Sequence, residues 1–178
     1  MTGETRMVYH QIPSLRVEPL CPVQFAPYGE VLRNDESTRR NFYPAATAPG
    51  QAPGELRFWV SQVRPAGTAP ILITRLERHP FAVQTFLPLK ISRWLVVVTP
   101  SMPDGTPDVR RIRAFLAAPG HAIFYRRNTW HHGTIVLDET ALFGVLMWRR
   151  TACDDDEFHD LAEPILLETG TQREHGGR

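Results

Sequence analysis

Apolar, β-branched and aromatic residues gather in eight short runs, at 56–63, 71–76, 81–87, 91–99, 112–117, 121–125, 131–137 and 141–148. The separators carry turn chemistry: Pro65-Ala66-Gly67, Pro103-Asp104-Gly105, Pro119-Gly120 and Asp138-Glu139. Runs of about five to eight residues are strand-sized. No long stretch holds a 3.6-residue apolar period, so the pattern predicts an all-β sandwich or barrel. Two short peripheral helices are expected, over 22–28 and over 154–161, the second from its acidic first turn. Residues 33–54 are polar and interrupted by Pro44, Pro49 and Pro53. They read as a long loop, a candidate lid. Residues 1–169 read as one domain, with 170–178 as a disordered tail.

The chain has 178 residues, enough to bury a core without disulfide or metal staples. Its formal net charge of +1 gives no electrostatic footprint for nucleic acid. Two cysteines, Cys21 and Cys153, make neither a disulfide framework nor a thiolate zinc module. The first twenty residues include Glu4, Arg6, His10, Arg16 and Glu18, which leaves no apolar signal segment. The longest apolar run, Trp94 to Val98, is far short of a membrane span. The expectation is a cytoplasmic protein with no membrane and no nucleic-acid partner. Lys90 is the lone lysine among 20 basic residues.

Of seven histidines, His79, His121, His131 and His132 lie in the strand-rich centre. Residues two apart in a strand share a face, so Glu77 and His79 point the same way. His131 and His132 are adjacent and must face opposite ways. Two spacings stand out. Glu77-x-His79 is followed by four residues, Gln84, six residues and Ile91. Gly120 is followed by five residues, Arg126-x-Asn128, two residues and His131. Both match the rulers of the two cupin motifs, with Glu77 in place of a histidine and Gln84 in place of a glutamate.

A closer resemblance covers most of the chain. The segments that carry it are Tyr28-Gly29-Glu30-Val31, Leu76-Glu77-Arg78-His79-Pro80, Gln84-Thr85-Phe86-Leu87-Pro88-Leu89, Val96-Val97-Val98, Pro107-Asp108, Arg113-Ala114-Phe115 and Tyr125-Arg126-Arg127-Asn128-Thr129-Trp130-His131-His132. They resemble the ureidoglycolate lyase family of allantoin breakdown. The resemblance implies a cupin-type double-stranded β-barrel (jelly-roll), a homodimer, and release of urea from ureidoglycolate to leave glyoxylate. The family's Asn-x-Gly stretch followed by Arg and an aromatic residue is not reproduced near 41–58. Gly133 stands where proline is usual, and Arg149-Arg150 where an Asp-Arg pair is expected.

On this reading Glu77, His79 and His131 are the catalytic candidates. Breaking the carbon–nitrogen bond needs a base for the substrate hydroxyl and an acid for the departing nitrogen. Glu77 or His131 could be the base. Arg78, Gln84, Lys90 and His132 are the candidates for binding the small-acid substrate, with Arg78 or Lys90 on its carboxylate. A divalent metal, if the site takes one, would find two imidazoles, a carboxylate and an amide oxygen in His79, His131, Glu77 and Gln84. That set suits Ni, Zn or Mn, and a pocket without a metal is the other possibility. Two other readings stay open: a cupin enzyme acting on another small hydroxy or keto acid, or a non-catalytic protein that binds a small acid.

Overall fold

The computed structural model describes residues 12–34, 36–90, 93–118, 120–150 and 155–169. Twelve strands run in chain order: β1 (Ser14–Pro19), β2 (Gly29–Leu32), β3 (Gly54–Val63), β4 (Leu72–Arg78), β5 (Gln84–Lys90), β6 (Trp94–Thr99), β7 (Arg113–Ala117), β8 (Ala122–Tyr125), β9 (Trp130–His131), β10 (Ile135–Val136), β11 (Ala141–Arg150) and β12 (Glu157–Glu168). They form a seven-stranded sheet ordered β10-β6-β7-β1-β12-β4-β9 and a five-stranded sheet ordered β2-β8-β5-β11-β3. In the larger sheet β9 pairs with both β4 and β6, so the ladder closes on itself. This is the expected closed, double-sheet cupin-type barrel.

Strand alternation sorts the apolar residues into two cores. Trp94, Val96, Val98 and Phe115 of the larger sheet face Phe86, Ile123, Tyr125, Phe143 and Val145 of the smaller one. The opposite face of the larger sheet supplies Leu76, Leu95, Val97, Ala114, Trp130 and Ile165 to a second cluster. Phe143 is fully buried and meets Phe86 and Trp94 edge-on, at 6.2 and 5.0 Å between ring centroids. Phe143→Ala should therefore cost about 3–5 kcal/mol, read as a lower urea midpoint with an unchanged slope.

Several sequence expectations shift. Where a helix is expected over 154–161, the described residues from Glu157 onward are strand instead. Residues 155–169 are described, and β12 pairs antiparallel with β4 and parallel with β1. Its acidic start is recruited by tertiary contacts rather than by a helix dipole. The helix at 22–28 shrinks to Pro22–Phe25, because the chain turns at Tyr28 to enter β2. Strands β1 and β2 lie in stretches read as non-strand. The 131–137 run splits into β9 and β10 around Gly133. The 33–54 segment is no lid. Ala46 and Ala52 accept hydrogen bonds from Thr85 and Trp148, at 2.5 and 3.0 Å, and Gln51 donates to Phe81 at 2.9 Å. These contacts tie it to the smaller sheet. Cys153 and the 170–178 tail lie outside the described residues. Among the described residues no helix is long and apolar enough to cross a membrane.

Candidate active site

The site lies between the two sheets. On β4, Leu76 enters the second core, so its neighbour Glu77 faces the smaller sheet. On β9, Trp130 and His131 divide in the same way. Glu77 and His131 are directly paired across β4 and β9, and their side chains share a face. Gln84 of β5 pairs with Tyr125 of β8 and Met147 of β11, and these three side chains point back at them. Tyr125 stacks on the His131 ring at 4.1 Å, with 20° between the planes.

His131 is almost wholly buried. Its Nδ1 is 2.9 Å from the Thr129 carbonyl, to which it donates. Its Nε2 lies 3.2 Å from Gln84 Oε1 and 3.4 Å from Glu77 Oε1. His79, also buried, has Nδ1 3.1 Å from Asp156 Oδ1. Its Nε2 is buried with no hydrogen-bond partner. One ligand atom each from Glu77, His79 and His131 falls within 4.8 Å of the others.

Burial pushes the His131 pKa below that of a free imidazole, against the opposing pull of Glu77. With Nδ1 donating to Thr129, the neutral ring carries its lone pair on Nε2, and a proton taken up there is donated to Glu77. Burial tends to raise the Glu77 pKa, but the hydrogen bond from His131 and the two imidazoles prevail and lower it. The hydrogen bond from His79, against burial and with the help of Arg149, holds the Asp156 carboxyl at about 2. A consequence concerns stability. The unfolded chain takes up the His131 proton at a higher pH than the native protein does. Stability should therefore fall as pH drops from about 6.5 towards the lowered native pKa. Urea midpoints at pH 7.5 and 5.5 should differ less in His131→Gln than in the wild type.

The donor set fits a divalent cation. Two imidazole nitrogens and two side-chain oxygens turn lone pairs on one another in a buried space, and one of those nitrogens is orphaned. Each imidazole is braced through its other nitrogen, the usual support for a metal-bound histidine. Glu77, His79 and His131 are the metal-site candidates, with Gln84 Oε1 beside them.

A cavity of about 230 Å³ opens next to Glu77 and Gln84. Trp59, Ser61, Phe86 and Val145 wall it, with Thr134 at one side. Trp59 donates to the Ser61 hydroxyl at 3.1 Å. These wall residues were not legible in the sequence, because only the pairing of β3 with β11 turns them inward.

The remaining sequence candidates lie elsewhere. Arg78, between two inward-facing residues, points the other way. It pairs with Glu157 at 2.6 Å, donates to the Gly105 carbonyl at 2.5 Å and covers the Trp130 ring at 4.7 Å. Lys90 sits at the far end of β5 from Gln84, exposed and 3.3 Å from Glu139. Neither lines the cavity. His132 faces away from His131, as alternation requires, with Nδ1 2.7 Å from the Gly133 carbonyl.

Residues 12–168 match the ureidoglycolate lyase family. The chain is 33 % identical over 153 residues to the ureidoglycolate lyase of Azotobacter vinelandii, covering 81 % of each chain. It is 36 % identical over 151 residues to that of Brucella ovis, covering 76 % of this chain and 83 % of the other. Among solved structures, a dTDP sugar isomerase from Desulfovibrio desulfuricans superposes with a TM-score of 0.42 at 18 % identity, covering 83 % of this chain and 81 % of the other.

Proposed function

The chain belongs to the ureidoglycolate lyase family, and from that premise we propose that it cleaves ureidoglycolate to urea and glyoxylate in allantoin (purine) breakdown. The observation that carries this reading is the convergence of His79 and His131 on Glu77 and Gln84, the two polar residues that open onto the cavity between Trp59 and Val145, in a chain that matches the family over nearly its whole described length. Another small acid, or binding without catalysis, is not favoured by relatives that share this family name.

The substrate carbon bears a hydroxyl, a carboxylate and a urea nitrogen. Glu77 is the base. It is held ionised and, among the described residues, is the carboxylate that lines the cavity. It takes the hydroxyl proton; the carbon–oxygen double bond forms, the carbon–nitrogen bond breaks, and the same proton passes to the departing nitrogen. Atoms balance, and no water is consumed. His131, neutral and fixed through Thr129, presents Nε2 to the reacting oxygens, while Gln84 offers its amide. A bound divalent metal, held by His79, His131 and Glu77, would supply Lewis-acid stabilisation of negative charge on oxygen.

The substrate carboxylate needs a cation, and Arg57, on the same face of β3 as two cavity-wall residues, is the one proposed for it. Arg57 shares a face of β3 with Trp59 and Ser61 and pairs across the ladder with Met147, which touches Gln84. Its guanidinium is exposed and paired with Glu55. Arg57→Met should raise KM about tenfold or more while changing kcat less, the pattern of lost ground-state binding.

The functional unit in this reading is a cytoplasmic homodimer. Leu56, Phe58 and Val60 on the edge strand β3, with Leu89 of β5, leave an apolar outer face exposed. Light scattering should give twice the chain mass of 20.2 kDa; a monomer at micromolar concentration would contradict it.

The activity test is product stoichiometry. Purified protein supplied with Ni²⁺ should release urea and glyoxylate in equal amounts and no ammonia. Ammonia release would mean an amidohydrolase instead.

A further inference from the structure

The acidic stretch before β12 has the sequence character of a solvated surface, yet Asp156 reaches a buried histidine of the site. Its Oδ1 lies 3.1 Å from His79 Nδ1 and 2.8 Å from Arg149 Nη1. Arg149, near the end of β11, also has its Nη1 3.8 Å from the Met147 sulfur. A continuous chain of contacts therefore runs from Arg149 through Asp156 to His79. At its inner end, the His79 Nε2 is buried and unpartnered.

We infer that Asp156, clamped by Arg149, is a positioning residue that keeps the His79 proton on Nδ1 and presents a bare Nε2 to the site. The physical reason is tautomer selection. A neutral imidazole holds one proton, and whichever nitrogen donates a hydrogen bond keeps it. A carboxylate accepts but cannot donate, so it fixes the proton on the nitrogen facing it. The Asp155 carbonyl, 3.4 Å from the same Nδ1, is a longer and uncharged acceptor, so without Asp156 the preference for Nδ1–H weakens and the Nε2–H form, whose lone pair turns away from Glu77 and His131, gains population. Arg149 holds the carboxylate at this angle and offsets part of its charge. The Arg149-Arg150 departure from the family's expected Asp-Arg pair thus acquires a role: Arg149 holds the group that orients a site histidine. The metal half of the argument rests on the proposed function, while the tautomer half does not.

The test uses the full-length, metal-free protein with ¹⁵N-labelled histidine, followed by calorimetric titration with Ni²⁺. In the wild type, the His79 resonances should show Nδ1 protonated and Nε2 bare. In Asp156→Ala they should move to a mixed or Nε2–H tautomer, with the thermal midpoint of a folded protein retained. Nickel affinity should fall about 10–100-fold, as for loss of other carboxylate supports behind metal-bound histidines. Arg149→Met should shift the same resonances part of the way, and it carries the test if Asp156→Ala does not fold. An unchanged Nδ1–H tautomer in a folded variant would overturn the inference. Wild-type protein that shows the tautomer but binds no nickel would instead remove the metal from the proposed function and leave the clamp standing.

Discussion

His131→Ala is expected to lower kcat/KM for urea release by about 10²–10⁴-fold, the range for loss of a positioned acid–base or ligand group. The ring has no substitute. Its Nε2 reaches both Glu77 and Gln84, and its orientation is set by the Thr129 carbonyl and by stacking on Tyr125. Emptying its buried position also creates a cavity, so a fall of about 2–4 kcal/mol in stability should accompany the loss. The two effects separate by temperature. Well below the midpoint, where the variant is fully folded by circular dichroism, activity should still be lost. Near wild-type turnover in the folded variant would remove His131 from the chemistry.

Glu77→Gln should reduce kcat by a similar factor with little change of fold. The amide keeps the shape of the side chain but cannot take the hydroxyl proton. Because Glu77 is paired and ionised in the native protein, it adds stability above its unfolded pKa, and that stability is lost as pH falls through its lowered native value. Glu77→Gln should therefore flatten the acid side of the stability profile between about pH 4.5 and the native pKa. The KM of this variant should move less than in Arg57→Met, since residue 77 acts on the transition state and Arg57 on the bound carboxylate. Equal loss of kcat in both variants would contradict this division of roles.

What could be read before the fold was known followed from local rules. Alternation alone separated His131 from Trp130 and His132, and the two motif spacings brought His79, Gln84 and His131 together. The same alternation places Arg78 opposite Glu77 and His79, so its position too was implicit in the sequence. Other features depend on contacts between distant parts of the chain. Asp156 meets His79 only because β12 runs antiparallel to β4, and nothing near Asp154–Glu157 in sequence signals that pairing. Strand β1 alternates just two apolar residues, Leu15 and Val17, and is held by two parallel neighbours far away in sequence, β7 and β12. Trp59 and Ser61 become cavity walls through their register with β11.

The most direct test of the site is a crystal structure of the Glu77→Gln variant with oxalurate, the analogue carrying a carbonyl in place of the substrate's carbinol. The account predicts the ligand in the cavity beside Gln84, its carbonyl oxygen facing residue 77 and His131 and its carboxylate on Arg57. Oxalurate bound elsewhere on the protein, with this cavity left to solvent, would contradict it.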